Sequence, residues 1–566
     1  MKRLIGRKRA AIAAIALASM MLLVTQSALA FNGKGRLRDR LCDQFRQRGI
    51  KNVIMMIPDG CDETVQTVAR WYKGEDLQVD KMAIGAVKIH MADSIITDSA
   101  SAATAFAEGI KTSNGFLGVG PDPETLLSVY SPEDMATPYA PVASVLEAAK
   151  LAGKATGVVA TSRITHATPA GFYTHVEDRN WPNDIMEHLV YHDVDVAFGG
   201  GKRHLLLTFD GGKRSDEDLM SVLLERGYQF VETADAMENV TQGKVFGLFA
   251  SSHMQPDIDR KHFAPDEPSL AEMTAKAIEL LSQDRDGFFL MVEGSQVDWA
   301  GHNNDPIYMT TDFIAFDDAV KVACDFAERD GRTLVMAFPD HNTGGMKIGH
   351  YNTAVGYTAT KVEDLVDPLK GMTMSANGVV AMMENDFSVE NIIEKVKLYW
   401  GLAITKDDAN EILEDKYNAG MSYALARVLS KNYTVVGWTT HGHNGETVPL
   451  WIYGVDAPVG TIDNTDLALM AAEAMDVDLD KTTSALYVDL DTVTDDYVIE
   501  GDPTNTDDYG MIENPVLKIR GAELPISKDF MVYKGKTIFL PGVTVYAPHT
   551  EKVYVSQKAL KVLRLR

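Results

Sequence analysis

Short runs of apolar residues recur along the chain, each bounded by polar or turn-forming residues. Runs of this length predict strands buried on both faces. Helical patterns lie between them, as in the segment that opens with the capping-box pair Ser269 and Glu272. The alternation predicts an α/β fold with a mainly parallel, two-sided central sheet. The strand-like runs are Asn52–Ile57, Ala155–Ala160, Phe288–Val292, Thr333–Phe338 and Tyr433–Gly437.

Three regions depart from this alternation. Residues 351–431 carry amphipathic patterns near Val389–Trp400 and Lys406–Tyr417, which predict an inserted, mostly helical segment. Residues 489–514 are acidic and rich in Thr, Asn and Gly, as in a linker. Residues 515–566 contain short strand-like runs separated by turns, which predict a small β-rich C-terminal module. We expect the main domain to occupy residues 31–488.

The first 30 residues have the pattern of an export signal. Five basic residues lie among the first nine, an apolar stretch follows, and it ends in an A-x-A pattern at Ala30. The alternative is a membrane anchor, although the apolar stretch is short for a span of about 20 residues. We expect cleavage near Ala30 and a periplasmic or secreted protein with no stable membrane anchor.

Charge and cysteine content disfavour two classes of protein, nucleic-acid-binding proteins and disulfide scaffolds. The 566 residues carry a formal net charge of −26, and such an acidic surface disfavours a nucleic-acid partner. Loss of the five basic residues of the signal peptide would lower the net charge to −31. The three cysteines, Cys42, Cys61 and Cys324, are too few for a disulfide scaffold.

Metal-ligand residue types follow four of the predicted strands. They are Asp59, then Glu293, Asp298 and His302, then Asp340 and His341, and finally His441 and His443. Sites in open α/β sheets form beyond the carboxyl ends of the strands. Carboxylates and imidazoles together suit zinc or a similar divalent ion, and one tetrahedral ion cannot use them all. The pattern therefore predicts a cluster of two or three ions.

A nucleophile and an anion clamp are also present. Ser99 precedes a helix-like run, and the N–H groups of a helix N-terminus attract anions. Without a nearby Ser-His-Asp arrangement, activation by a metal is favoured; the alternative is that Asp98 or Ser99 only caps the helix. Arg179 could clamp phosphate oxygens with its guanidinium, or form an ordinary surface ion pair.

In chain order, these residues resemble the alkaline phosphatase family. The motifs are Asp59, Asp98-Ser99-Ala100, Thr165-His166-Ala167-Thr168-Pro169-Ala170, Arg179, Glu293-Gly294, Asp298 with His302, Asp340-His341, and His443-Asn444-Gly445-Glu446. The resemblance runs from about Lys51 to Met475. It implies a doubly wound α/β fold, hydrolysis of small-molecule phosphate monoesters at alkaline pH, and a homodimer.

The resemblance also implies individual roles. Asp298, His302 and His443 would bind a first Zn2+, and Asp340, His341 and Asp59 a second. Asp59, Thr168 and Glu293 would hold a third ion, normally Mg2+. Ser99 would attack phosphorus to give a phosphoserine, and Arg179 would hold the phosphate oxygens. We favour His443 over His441 as a ligand because Gly-Glu follows it at the family spacing.

Four positions depart from the commoner family pattern. His166 stands where some members have Asp, and Trp299 where some have Lys, and this pair resembles a branch found in marine bacteria. Because magnesium prefers oxygen ligands, an imidazole at position 166 should weaken the third site. Pro58 and Pro339 also fix φ immediately before a ligand, which could change how that ligand is presented.

Other functions stay open at this point. A sulfatase of the same superfamily needs a Cys/Ser-x-Pro-x-Arg motif, which the region around Ser99 lacks. A phosphodiesterase would differ in its relative rates on mono- and bis-p-nitrophenyl phosphate. A metal-storing or adhesive protein with the same fold would contain zinc but hydrolyse nothing.

Overall fold

A computed structural model describes residues 42–415, 417–454, 460–502, 505–511 and 515–565. Its strands up to residue 463 are β1 (Asn52–Pro58), β2 (Ala83–Lys88), β3 (Ala155–Arg163), β4 (Val196–Gly200), β5 (Gln229–Val231), β6 (Val245–Ala250), β7 (Phe288–Gly294), β8 (Thr333–Ala337), β9 (Asn342–Thr343), β10 (Lys347–Ile348), β11 (Val436–Gly437), β12 (His443–Asn444), β13 (Val448–Tyr453) and β14 (Gly460–Asp463). Ten of these described strands form the central sheet, in the order β14-β2-β13-β8-β1-β7-β3-β4-β6-β5.

The central sheet is mainly parallel, as predicted. Within it β13 is the exception, since it pairs antiparallel with both β2 and β8. Alternate residues of β1 enter two separate apolar cores: Val53 and Met55 belong to one, and Ile54 and Met56 to the other. A strand buried on both faces therefore explains why the apolar run is continuous.

Helices supply the opposing surfaces of both cores. The described α-helices include Glu63–Lys73, Ser99–Glu108, Val145–Leu151, Ala167–Ala170, Pro182–Tyr191, Leu219–Glu225, Ala234–Glu238, Asp257–Phe263, Leu270–Leu281, Gln296–Asn303, Pro306–Asp330, Val362–Lys370, Ala376–Ala381, Val389–Trp400, Lys406–Leu413, Met421–Tyr433, Asn464–Met475, Leu479–Leu486 and Gln557–Leu563. The capping box predicted at Ser269 is formed: Ser269 Oγ accepts from Glu272 N, and the Glu272 carboxylate accepts from Ser269 N.

One predicted strand is wrong. Tyr433 ends the helix Met421–Tyr433, and only Val436–Gly437 is extended, as β11 paired with β10 outside the central sheet. The central sheet instead takes up β13, which runs in the opposite direction. Short apolar runs do not distinguish a strand from the end of a buried helix, which accounts for the error.

The region 351–431 is rich in helices. The helix Val389–Trp400 matches its predicted bounds, whereas the next helix ends at Leu413 rather than near Tyr417. Thr405 begins this second helix with a capping box that includes Asp408. Whether the region is an insertion remains a prediction.

The C-terminal region adds further strands. They are β15 (Val488–Asp489), β16 (Val498–Glu500), β17 (Thr506–Asp507), β18 (Gly510–Met511), β19 (Val516–Ile519), β20 (Ala522–Pro525), β21 (Phe530–Tyr533), β22 (Lys536–Phe539), β23 (Val545–Ala547) and β24 (Lys552–Val555). Leu517, Leu524 and Met531 form a small core of their own, whereas Val545 packs into the main one. The boundaries of the predicted linker (489–514) and module (515–566) remain predictions.

Two other expectations concern the ends and the thiols of the chain. The predicted signal peptide, residues 1–30, lies outside the described residues. Among those that are described, no helix is both long and apolar enough to cross a bilayer. Cys42, Cys61 and Cys324 are all buried, and none of the three forms a disulfide among the described residues.

Candidate active site

The central strands bring the predicted metal ligands to one edge of the sheet. β1 lies between β7 and β8, so Asp59, Glu293 and Asp340 emerge at neighbouring carboxyl ends. Asp298 and His302 are four residues apart on the helix Gln296–Asn303 and therefore share a face. The pairing of β12 with β9 sets His443 opposite Thr343, two residues beyond His341.

Ser99 faces the ligands that follow β1 and β8. It is the first residue of the helix Ser99–Glu108, whose N-cap Asp98 accepts a hydrogen bond from Ser101 N. Ser99 Oγ lies 3.1 Å from Nε2 of His341. The same nitrogen is 3.0 Å from Asp340 Oδ2 and 3.5 Å from Asp59 Oδ1. The Ser99 hydroxyl and three predicted ligand side chains thus lie together.

A second group consists of Asp298, His302 and His443. Nε2 of His302 is 3.4 Å from Asp298 Oδ2, and Nε2 of His443 is 3.7 Å from Asp298 Oδ1. His302 Nδ1 donates to the carbonyl of His441 at 2.6 Å, and His443 Nδ1 to that of Thr97 at 2.8 Å. Since Nδ1 carries the proton, Nε2 is the nitrogen free to bind a metal.

The side chain of His441, the rival ligand, points elsewhere. Its ring lies 5.2 Å from that of Tyr423 and 6.4 Å from that of Tyr417, measured between centroids. His441 serves the site through its backbone oxygen, which orients the imidazole of His302.

A third group lies deeper, around Glu293. Asp59, His166 and Glu293 each bring a ligand atom within 4.8 Å of the others, and all three are buried. Thr168, on the short helix Ala167–Ala170, is buried as well. Both oxygens of Asp59, Glu293 Oε1 and Thr168 Oγ1 have no hydrogen-bond partner. Buried polar atoms are normally paired, so this donor set fits a cation.

The electrostatics agree with this conclusion. Burial, together with the charges of Asp340 and Asp298, raises the pKa of Asp59 well above its usual value. Burial also raises the pKa of Glu293 to about 7. Burial and the neighbouring His341 lower the pKa of His443 to about 4, so this imidazole is neutral above that pH. Although burial opposes the shift, Asp298 raises the pKa of His302 to about 9, and Asp340 raises that of His341. Zinc binds the neutral imidazole, so an ion bound here would take the place of these protons beside the crowded carboxylates.

Arg179 points its guanidinium into the same cleft. Nη1 donates to Asp98 Oδ2 at 2.9 Å, and Nη2 donates to His166 Nε2 at 3.3 Å. The side chain is 22% exposed, so one edge remains open to an anion. Asp98, the residue before Ser99, therefore fixes the position of the arginine.

His253 is a neighbour of the site that the sequence reasoning missed. Its ring packs edge-on against Trp299 at 4.3 Å, and Trp299 packs against His166 at 5.6 Å. His253 Nδ1 accepts from the backbone N–H of Arg163 at 3.1 Å. His253 follows β6, a strand that we did not predict. The search for site residues after predicted strands therefore could not find it.

The geometry can be compared with known proteins. The family model for alkaline phosphatase matches residues 50–477. The chain belongs to the alkaline phosphatase family. Alkaline phosphatase 3 of Bacillus subtilis (strain 168) is 36% identical over 449 residues, which cover 76% of this chain and 90% of the relative.

Solved alkaline phosphatases share the fold. The cold-active enzyme of Shewanella sp. aligns with a TM-score of 0.63 and 28% identity, covering 75% of this chain and 99% of that one. A TAB5 alkaline phosphatase variant, with a histidine replaced by glutamate and Mg bound in its M3 site, aligns with a TM-score of 0.52 and 26% identity, covering 76% and 99%. Hydrolysis of phosphate monoesters is the activity of this chain.

Proposed function

We propose that this alkaline phosphatase acts through a phosphoserine intermediate at Ser99, with two zinc ions and one magnesium ion. The observation that carries the proposal is the 3.1 Å separation between Ser99 Oγ and Nε2 of His341. A hydroxyl so close to a metal-ligand atom can reach an ion bound there. Its position at a helix N-terminus adds backbone N–H groups that favour an anion.

Three groups of side chains would hold the ions. Asp298, His302 and His443 would bind the first zinc, and Asp340, His341 and Asp59 the second. Asp59, Thr168 and Glu293 would bind magnesium. Bound zinc supplies Lewis-acid stabilisation of the attacking and leaving oxygens.

The chain's own residues then handle phosphate. Ser99 Oγ attacks phosphorus as the bond to the alcohol breaks, and water later cleaves the Ser99–phosphorus bond to release phosphate. Arg179 Nη atoms and the Ser99 N–H hold the non-bridging oxygens. Because Asp98 holds Arg179 at 2.9 Å, the guanidinium is positioned before substrate arrives.

His166 and Trp299 would tune the third site. His166 Nε2 accepts from Arg179, so the ring carries its proton on Nδ1 and offers no free lone pair while that contact persists. The magnesium found in the TAB5 variant, where glutamate replaces a histidine, supports the idea that a carboxylate favours magnesium there. The third site of this chain would therefore be weak for magnesium.

We also propose a homodimer that is exported to the periplasm or secreted after cleavage near Ala30. Light scattering of the mature protein should give twice the chain mass. N-terminal sequencing of exported protein should begin at Phe31.

The nucleophile is tested by Ser99→Ala. We expect p-nitrophenyl phosphate turnover to fall by about three orders of magnitude or more, with zinc content near that of the wild type. Ser269→Ala, which removes a hydroxyl at the helix Leu270–Leu281, is the control and should retain activity. Full turnover by Ser99→Ala would exclude the phosphoserine route.

The metal requirement and the ester class need separate measurements. A chelator should abolish hydrolysis, and zinc with magnesium should restore it. The rate on p-nitrophenyl phosphate should exceed that on bis-p-nitrophenyl phosphate; the reverse order would assign the site to diesters.

A further inference from the structure

A second cluster of metal-ligating side chains lies outside the active site. Glu147, His175 and His192 bring ligand atoms within 4.8 Å of one another, and the hydroxyl of Tyr487 joins them. The histidine and glutamate side chains are at most 3% exposed. None of the four residues belongs to the site described above.

The four ligand-type atoms face one centre. Glu147 Oε1 lies 3.2 Å from His175 Nε2 and 2.9 Å from His192 Nε2. Tyr487 Oη lies 2.7 Å from His175 Nε2 and 3.4 Å from His192 Nε2, and it also contacts Glu147 Oε1. Two nitrogen and two oxygen atoms thus converge.

Backbone contacts fix which ring nitrogens face the centre. His175 Nδ1 is 2.8 Å from the carbonyl oxygen of Gly118, and His192 Nδ1 is 3.0 Å from that of His188. A carbonyl oxygen only accepts, so both Nδ1 atoms carry protons. The Nε2 atoms of the neutral rings therefore turn their lone pairs toward Glu147 and Tyr487.

Hydrogen bonds alone do not satisfy the polar atoms of this cluster, because too few of them carry a proton. With neutral rings and an ionised Glu147, only the Tyr487 hydroxyl has a proton to share among all the close contacts. Protonating both histidines would supply two more, but would bury two positive rings whose centroids are 6.0 Å apart. Protonating one histidine would still leave the other Nε2 facing Glu147 Oε1 with no proton between them. Each arrangement is costly for groups that are buried.

We infer that Glu147, His175, His192 and Tyr487 bind a structural zinc ion, separate from the active-site ions. Zinc binds imidazole nitrogen at about 2.0–2.1 Å and carboxylate oxygen at about 2.0–2.2 Å in a tetrahedron, which spaces its ligands about 3.3 Å apart. Four of the five close contacts among these atoms measure 2.7–3.4 Å, near this spacing, and the contact between Glu147 Oε1 and Tyr487 Oη is shorter. Nδ1–H groups bonded to backbone carbonyls are the usual support of zinc-binding histidines.

A neighbouring carboxylate also favours a cation. Both oxygens of Glu108 are buried without a hydrogen-bond partner. Burial, and then the charge of Glu147, raises the pKa of Glu108 well above its usual value. A cation bound at the cluster would lower this pKa and stabilise the ionised form of Glu108.

The ion would join parts of the chain that are distant in sequence. Glu147 is on the helix Val145–Leu151, His192 follows the helix Pro182–Tyr191, and Tyr487 follows the helix Leu479–Leu486. His175 precedes Arg179 by four residues. Zinc here would steady the segment that carries the phosphate clamp and anchor the chain as it enters the C-terminal strands.

Anomalous scattering from crystals of the zinc-loaded enzyme tests the inference directly. Data collected above and below the zinc edge should show a peak about 2 Å from Nε2 of His175 and of His192. No peak at this cluster, or a peak only at the edge of another metal, would overturn the assignment. The result does not depend on whether the proposed phosphoserine forms.

Metal analysis of variants gives a second test. His192→Gln should lose one zinc per chain and show a lower melting temperature. His188→Gln is the matched control, because this ring lies beside those of His175 and His192 but uses its own nitrogens elsewhere. Its Nε2 lies 3.2 Å from Ser527 Oγ, and its Nδ1 accepts from the backbone N–H of His175 at 3.3 Å. This variant should keep the full zinc content. Equal zinc in both folded variants would contradict the site, and the scattering experiment decides if His192→Gln fails to fold.

Discussion

Single residues at the active site have roles that follow from what each atom contacts. Arg179 is held between Asp98 and His166, one an ionised carboxylate and the other a neutral ring. Although burial opposes it, Arg179 keeps the pKa of Asp98 below its usual value. Burial, followed by the charge of Arg179, lowers the pKa of His166 well below its usual value. The Arg179 guanidinium thus stabilises the Asp98 carboxylate and disfavours protonation of His166.

At position 166 we expect His166→Asp to strengthen the third site. A carboxylate supplies charged oxygen to magnesium, so the concentration for half-maximal stimulation should fall about tenfold or more. Magnesium titration of p-nitrophenyl phosphate hydrolysis measures this. His166→Asn is the matched control, because it removes the imidazole without adding charge. If both variants respond to magnesium alike, carboxylate charge is not the deciding factor.

Elements position these residues through turns and pairings that composition does not reveal. Asp59 lies in the turn after β1, where Gly60 adopts a φ of +73°. A Cβ on Gly60 would stand 2.7 Å from Thr343 Oγ1 and 2.8 Å from Asp298 Cα. Thr343 donates to Asp298 Oδ1 at 2.6 Å, so three segments meet at this turn. The glycine allows their close approach.

We therefore predict that Gly60→Ala lowers activity through a steric clash in the site, in addition to the strain of the left-handed backbone. The methyl group should displace Asp298 and lower kcat/KM at least about 100-fold, the usual effect of a shift near 1 Å. Gly74→Ala is the matched control: its φ is +78°, but open space surrounds the added Cβ. In both variants the left-handed backbone conformation lowers the free energy of unfolding by about 1–2 kcal/mol. Equal activities in the two variants would refute a steric role for Gly60.

At the scale of the whole molecule, the C-terminal region is docked on the main core through buried polar groups. Asp184, on the helix Pro182–Tyr191, accepts from Met511 N at 3.2 Å, and Asn183 N donates to the Tyr509 carbonyl. Arg226 forms paired bonds to Asp529, at 2.6 and 3.1 Å. The segment with linker-like composition is therefore held against the core.

Asp184 makes this docking sensitive to pH. Burial raises its pKa from near 3.8 to about 7. Because the folded-state pKa is the higher one, the stabilisation is complete below about pH 3.8 and is lost as the pH rises to about 7. At alkaline pH the folded protein holds an ionised, buried carboxylate at a cost of up to a few kcal/mol.

Asp184→Asn should accordingly raise the melting temperature at pH 9 and show a much smaller effect at pH 5. Asparagine keeps an oxygen that can accept from Met511 N but never ionises. Calorimetry at the two pH values measures the difference, and Asp210→Asn, at an exposed position, is the control. A variant less stable than the wild type at pH 9 would contradict the buried-charge explanation.

The sequence by itself determined the fold class and the class of reaction. Continuous apolar runs such as Asn52–Ile57 mark strands buried on both faces, and ligands placed at their ends must meet because parallel strands share an edge. The one misplaced strand, Tyr433–Gly437, was a short run whose local pattern is ambiguous. The roles of Ser99, Arg179 and the metal ligands stay predictions.

Only the tertiary structure decided which distant groups share space. The reversed strand β13, the contact of His253 with Trp299 and the cluster of Glu147, His175, His192 and Tyr487 have no local signature. Their partners are brought together by packing between helices and sheet, not by sequence spacing. The tertiary structure also decides the charge of buried groups. Removal from water raises the pKa of Asp184 and of Glu108, and residue type alone does not predict this shift.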